Sequence, residues 1–374
     1  MSTKKMQIGK AVKHYQLQAI VAVSVLVWLS SNVVAQWTVT NLHPAGAASS
    51  QAFAASGPQQ AGYADVGSIT RASLWSGTAA SWVDLHPAGA TFSEARAASG
   101  SLQAGRADVG GILRASLWSG TAASWVDLHP AGATNSIAFS VSGSQQTGWA
   151  EVGSITRASL WSGTAASWVD LHPAGATRSI AWAASGSLQA GSAQVGLLHA
   201  SLWSGTAASW VDLHPAGAVF SEAFAASGSQ QVGWAWVFQT FPAVPHASLW
   251  NGTAASWVDL HPAAATLSSA LAANGSQQAG YAQVGGNSHA SLWSGTAASW
   301  VDLHAFLPAE FSTSEARGIT TDGIITYVSG SGFNTATGRT EALLWTQAVP
   351  EPGTAGLLCL GGILLAVQRR RKAA

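Results

Sequence analysis

One string of fourteen residues, Ser-Leu-Trp-Ser-Gly-Thr-Ala-Ala-Ser-Trp-Val-Asp-Leu-His, recurs six times in this chain, and its spacing constrains the fold more than any other feature. It starts at Ser73, Ser116, Ser159, Ser201, Ser248 and Ser291, at intervals of 43, 43, 42, 47 and 43 residues, with Asn251 replacing serine in the fifth copy. A seventh, weaker version is split between the two ends of the array: Trp37-Thr-Val-Thr-Asn-Leu-His at the start and Ala342-Leu-Leu-Trp345 at the finish. A unit repeated at this period is one supersecondary motif that buries its apolar face only against its neighbours.

Each unit parses into four short strands, as at residues 221–227, 278–284, 289–293 and 299–303, separated by glycine-bearing turns and ended by His-Pro-Ala-Gly. Helical periodicity is absent. Four strands per unit of this length match the blade of a β-propeller. Counting from Trp37, the chain supplies one fourth strand, six full units and then three strands ending at Trp345. The expectation is an all-β, seven-bladed propeller over residues 36–347, its four-stranded blades closed by pairing of the N- and C-terminal strands. Closure removes the free sheet edges that promote aggregation. Small Ala and Ser suit a first strand crowded near the axis, and Trp and Leu of the third and fourth strands suit packing between blades. The alternative is an open β-solenoid, but one coil usually needs about half this repeat length, and no terminal caps are visible.

The segments His199-Ala-Ser-Leu-Trp, His246-Ala-Ser-Leu-Trp and His289-Ala-Ser-Leu-Trp, with a Gly-x-Ala strand before them, resemble the HAF extracellular repeat family. The family's phenylalanine is serine here, and Arg71, Arg114 and Arg157 stand at the histidine position in the first three units. The resemblance implies an extracellular location and no established chemistry.

The ends read as addresses. Lys4, Lys5, Lys10 and Lys13 precede an apolar run at 19–29 and a small-residue stretch ending at Ala35, the order of a secretory signal peptide over residues 1–35. At the other end, Pro350-Glu351-Pro352, an apolar stretch at 355–367 and the cluster Arg369-Arg370-Arg371 resemble the PEP-CTERM sorting signal of exopolysaccharide-producing bacteria. That resemblance implies processing by an exosortase-type sorting enzyme. The tail over 348–374 would hold the chain in the membrane through a short transmembrane helix before processing, its basic end on the cytoplasmic side.

Between these ends the chain carries eight arginines, no lysine and fifteen acidic residues, a net −7. An acidic body is a poor partner for phosphate backbones, so nucleic acid is not expected as a ligand. The single cysteine, Cys359, rules out a disulfide within the chain.

No nucleophile elbow, phosphate loop, paired-carboxylate motif or metal-ligand run is present, and no catalytic residue, metal or cofactor is assigned. Asp84/His86 and their five counterparts share a strand face, yet two ligands per unit on a wide ring do not make a zinc site. Asp and His before Pro are natural turn formers. Glu94, Glu151, Glu222, Glu310 and Glu315 are scattered along the sequence. Trp75 and Trp82, seven apart in every unit, read as packing between blades. Trp234, Trp236, Phe238 and Phe241 occur once, where the interval lengthens to 47, and form either a ligand-binding ridge or a longer hairpin folded onto its blade. Only the fifth and seventh units diverge enough to host an asymmetric site. The expected role is a non-enzymatic surface or matrix protein that binds extracellular polysaccharide or another surface protein. The alternative is a carbohydrate-active propeller enzyme, a hydrolase or lyase.

Overall fold

The computed structural model describes residues 36–237 and 243–349. Residues 1–35, expected to be a signal peptide, Phe238, Phe241, the Pro350-Glu351-Pro352 motif, the apolar stretch at 355–367 and Arg369, Arg370 and Arg371 lie outside the described residues. One compact unit spans Trp37–Gln347. It consists of seven antiparallel sheets of four strands each. Six of them, blades 1 to 6, cover residues 50–84, 90–127, 136–170, 178–212, 218–259 and 268–302, with strands in sequence order from the axis outward. Blade 7 takes three strands from Phe311–Thr321, Ile325–Asn334 and Arg339–Ala348, and its outermost strand from Thr38–Asn41 at the other end of the chain. Innermost strands of successive blades touch all the way round, including Ser50–Ser56 against Phe311–Thr321. The array is therefore a closed propeller and not a solenoid.

Closure is a four-residue ladder, Thr38↔Thr346 to Asn41↔Leu343. The hydroxyls of Thr38 and Thr346 meet at 2.7 Å across it.

Seven apolar clusters fill the seven interfaces. Trp118 of blade 2 packs on Leu74 and Leu85 of blade 1, Trp161 on Leu117 and Leu128, and Trp203 on Leu160 and Leu171. The pattern continues round to Trp75 against Leu42 and Leu344. Each of these indoles is fully buried, removing about 150–250 Å² from water apiece. Alanines such as Ala61, Ala72 and Ala95 complete the interfaces, their small size allowing the sheets to approach near the axis.

The blade-to-blade linker is held by a repeated polar latch. His86 Nε2 donates to the Ala90 carbonyl at 2.9 Å, so Nδ1 is the acceptor and takes the Ser93 hydroxyl at 2.8 Å. Ser93 Oγ in turn accepts the Ala72 N–H of the preceding blade at 2.8 Å. Equivalent histidine–serine pairs, each receiving a neighbour's backbone N–H, occur at every interface from His43–Ser50 to His304–Ser314. Asp84 Oδ1 accepts the His86 N–H, and Asp84 Oδ2 binds Arg71 at 2.8 Å. In blades 4 to 6 a histidine replaces that arginine, as in His199–Asp212, and stacks on the latch histidine. The Asp/His pairs are thus consumed by linker geometry. Among the described residues no group of three or more His, Cys, Asp or Glu is placed to hold a metal ion.

The outermost strand is shorter than the sequence suggests: Val301–Asp302 rather than 299–303. The preceding Ala297–Ser299 forms a 3₁₀ turn, because Ser299 Oγ bonds the Thr296 carbonyl and accepts the Ser294 N–H. Two-residue outer strands leave little edge for another chain to pair with.

Candidate functional site

Every innermost strand carries a β-bulge at the same place. The ladder skips Phe53 in blade 1, then Arg96, Phe139, Trp182, Phe224, Leu271 and Arg317 in blades 2 to 7. A bulged residue is unpaired and re-aimed. These seven side chains together line one cavity of about 350 Å³ on the propeller axis. Each bulge lies opposite a glycine. A β-carbon at Gly62 would overlap the Gln51 carbonyl, and Gly105, Gly148, Gly191, Gly233, Gly280 and Gly330 are alike. These glycines let the bulge approach the second strand, and the bulge supplies the collar.

The collar is uneven. Phe139, Trp182, Phe224 and Leu271 form an apolar arc, with Trp182 4.3 Å from Phe139 and edge-on to Phe224 at 5.6 Å. Opposite them, Arg96 and Arg317 approach the same Phe53 ring, at 5.1 and 5.7 Å from its centroid. The same seven side chains, with the small residues that follow them such as Ala54–Ala55, line an adjoining space of about 180 Å³.

Two residues before the bulge in blades 2, 5 and 7, on the side of the interblade linkers, lie Glu94, Glu222 and Glu315. Three of the five carboxylates that look scattered in sequence therefore occupy one tier, while Glu151 lies on the second strand of blade 3 and Glu310 just before the first strand of blade 7. Glu94 is buried, and its Oε2 receives both Arg96 and Arg106. Glu315 pairs with Arg317. Glu222 has no arginine in contact; it accepts from Ser192 Oγ at 2.8 Å and from Trp182 Nε1 at 3.2 Å. Burial raises its carboxyl above the ordinary range, with the two hydrogen bonds and more distant Arg178 opposing. Burial also lowers the Arg96 guanidinium, opposed by Glu94 and reinforced by the like charges of Arg106 and Arg317.

Trp234 faces Glu222 in the ladder, and Trp236 follows two residues on along the same strand, before the segment 238–242. Their rings lie 6.1 Å apart, and Phe220 meets Trp236 edge-on at 5.6 Å. The two tryptophans stand on a regular strand beside the Glu222 end of the apolar arc.

The asymmetry is wider than the fifth and seventh units. It recurs at one position in every blade, where Ala-x-Ala (Ala-Phe-Ser in blade 3, Ala-Arg-Gly in blade 7) holds Phe, Arg, Phe, Trp, Phe, Leu and Arg in turn, and again two residues earlier. Superposing the units would have exposed that one variable residue between small neighbours.

Residues 348–372 match the PEP-CTERM protein-sorting motif. The chain thus carries the mark of a protein exported and recognised by exosortase through its C-terminal tail, with transient membrane anchoring there. Among the described residues no helix is long and apolar enough to cross a membrane. No curated protein sequence matches the chain. Among solved structures, puromycin hydrolase is similar at 12% identity and a TM-score of 0.51, over 78% of this chain and 53% of its own. The chain therefore spans about half that enzyme's length, and the likeness is one of fold. A putative TolB from Agrobacterium tumefaciens aligns at 13% identity and a TM-score of 0.41, over 60% of this chain and 80% of its own.

Proposed function

We propose that the protein is a non-enzymatic binding propeller, exported and sorted by its tail, that takes extracellular polysaccharide at the axial collar. The observation that carries this reading is the collar itself. Blades that share the same bulge between the same small neighbours differ at the side chain that lines the axial cavity, and four of those seven side chains are aromatic. Aromatic faces bury the apolar face of a sugar ring while its hydroxyls reach polar neighbours, here the carboxylate tier and the guanidinium groups. Trp234 and Trp236 extend the same surface. The likeness to HAF extracellular repeats agrees with a role outside the cell.

The test is glycan binding by the exported protein, by array and then calorimetry. Trp182→Ala is expected to weaken binding by at least about tenfold, and Trp234→Ala with Trp236→Ala by less. Absence of binding to any glycan, or unchanged affinity in Trp182→Ala, overturns the proposal. One observation favours the enzymatic alternative: Glu222 is a carboxyl raised by burial beside an indole, the environment of a general acid. Against it, Glu94 and Glu315, the other carboxylates of the tier, are held by arginines. Turnover of a bound polysaccharide, lost in Glu222→Gln, would establish the enzyme.

A further inference from the structure

We infer that the arc Arg96–Phe53–Arg317 is an anion site that makes the collar select saccharides bearing a carboxylate over neutral ones; this rests on the saccharide reading above. Blades 7, 1 and 2 are consecutive, so Arg317, Phe53 and Arg96 are adjacent round the collar, and both guanidinium carbons lie within 6 Å of one phenyl centroid. Arg96 also lies 5.5 Å from the Phe139 ring. Two cations set across one aromatic ring repel each other unless negative charge offsets them.

The charge supplied by the protein falls short. Glu94 serves two guanidinium groups through a single oxygen, Oε2, with Arg96 Nη2 at 2.7 Å and Arg106 Nη2 at 2.9 Å. Glu315 serves Arg317 alone. On this arc three guanidinium groups thus face two carboxylates, since Glu222 lies on blade 5 and bonds Ser192 and Trp182 instead, leaving one positive charge in a half-enclosed setting where a pair is worth more than in open water. The Nη1 groups of Arg96 and Arg317 make no hydrogen bond to any described residue, and both arginines line the cavity. A planar guanidinium with a free edge is the donor geometry that matches a carboxylate. The apolar arc across the collar, Phe139, Trp182 and Phe224, provides for the ring that carries the carboxylate. A uronic acid residue satisfies both halves at once, and a neutral hexose only one.

The experiment compares a glucuronate oligosaccharide with its carboxyl-reduced counterpart by calorimetry on the exported protein. Wild type is expected to bind the acidic form at least about tenfold more tightly, with a preference that shrinks as salt rises. Arg96→Gln and Arg317→Gln are each expected to reduce that preference, and the double variant to abolish it; the quantity read is the ratio of the two affinities, which the loss of hydroxyl contacts common to both forms does not move. Arg96→Lys, which retains charge without the fork, is expected to retain part of the preference and guards against loss of folding in Arg96→Gln. Equal binding of both forms by wild type, or an unchanged preference in the double variant, overturns the anion site and leaves the saccharide reading standing. If neither oligosaccharide binds, the saccharide reading fails. Tryptophan fluorescence under titration with inorganic sulfate then decides the anion site: a response in wild type that the double variant lacks supports it, and the same response in both defeats it.

Discussion

Asn41 donates its side-chain amide to Glu341 Oε2 at 2.7 Å, joining the first strand of the propeller to the last. In blades 1 to 6 the corresponding place holds an arginine or a histidine on the third strand and an aspartate on the fourth, as in Arg71–Asp84. Blade 7 inverts this, placing the carboxylate on the third strand and an amide on the fourth. A fourth strand from any other blade would bring its aspartate against Glu341, so the closing pair discriminates against wrong partners by like-charge repulsion.

Glu341 is almost fully buried and also accepts from Asn334, Thr337 and Arg339. Burial alone would raise its carboxyl, but these bonds together outweigh burial and hold it below its ordinary 4.5. A carboxyl lowered in the folded state contributes stability that is present above its unfolded value and is lost as pH falls through the folded one. Thermal melts from pH 6 to 3 are expected to show this loss in wild type and a flatter profile in Glu341→Gln. Glu341→Ala, which strands four donors, is expected to cost about 3 kcal/mol by guanidinium unfolding, whereas Arg71→Ala, at a partly exposed pair, costs about 1 kcal/mol or less.

Blades 4 to 6 are expected to loosen first in mild acid. His214 and His261 are lowered below 6.5 chiefly by burial, and next by the histidines stacked on them, His199 at 4.1 Å and His246 at 3.9 Å. A histidine lowered in the folded state gives stability fully present above the unfolded 6.5 and drained as pH falls below it toward the folded value. Amide hydrogen exchange between pH 7.5 and 5 is the measurement, with a steeper rise for residues 197–304 than for residues 50–170 as the expected outcome. In His261→Gln the slope of stability against pH is expected to be smaller.

Gly148→Ala is expected to damage both fold and collar. Its β-carbon would overlap the Ile137 carbonyl, so the bulge holding Phe139 must shift. The expected cost is about 2 kcal/mol or more by chemical unfolding, with weakened glycan binding measured on the fraction that remains folded.

Trp345→Phe is expected to cost about 1 kcal/mol more than Trp75→Phe. Trp345 Nε1 donates to the Leu303 carbonyl at 3.0 Å, while the Trp75 indole N–H is buried with no partner among the described residues. The difference follows from the linker. After Leu303 the chain enters the short 3₁₀ turn His304–Phe306, with Leu303 itself in helical conformation, instead of His-Pro-Ala-Gly. Paired unfolding curves of the two variants measure the gap.

Strand count and ring closure were legible because the period and phase of the Trp-bearing string are properties of sequence order alone. The roles of Trp75 and of the Asp/His pairs were legible because a residue kept in every unit serves something every unit needs. The collar escaped for the opposite reason. Attention to what recurs passes over the one residue that does not, and strand alternation by itself does not foretell that a bulge turns Phe53 or Arg96 toward the axis. The Glu94, Glu222 and Glu315 tier was hidden likewise, since intervals of unequal length obscure a shared register.

Because each collar side chain sits where the ladder is already interrupted, exchanging it breaks no backbone pairing, and the flanking small residues keep the sheets at their spacing. At the four apolar positions without a polar partner, recognition and architecture are therefore written in separate letters. Seven addresses converge on one axis, and a library varying residues 53, 139, 224 and 271, whose side chains make no hydrogen bond or ion pair, would search ligand chemistry while leaving the scaffold's own requirements almost untouched.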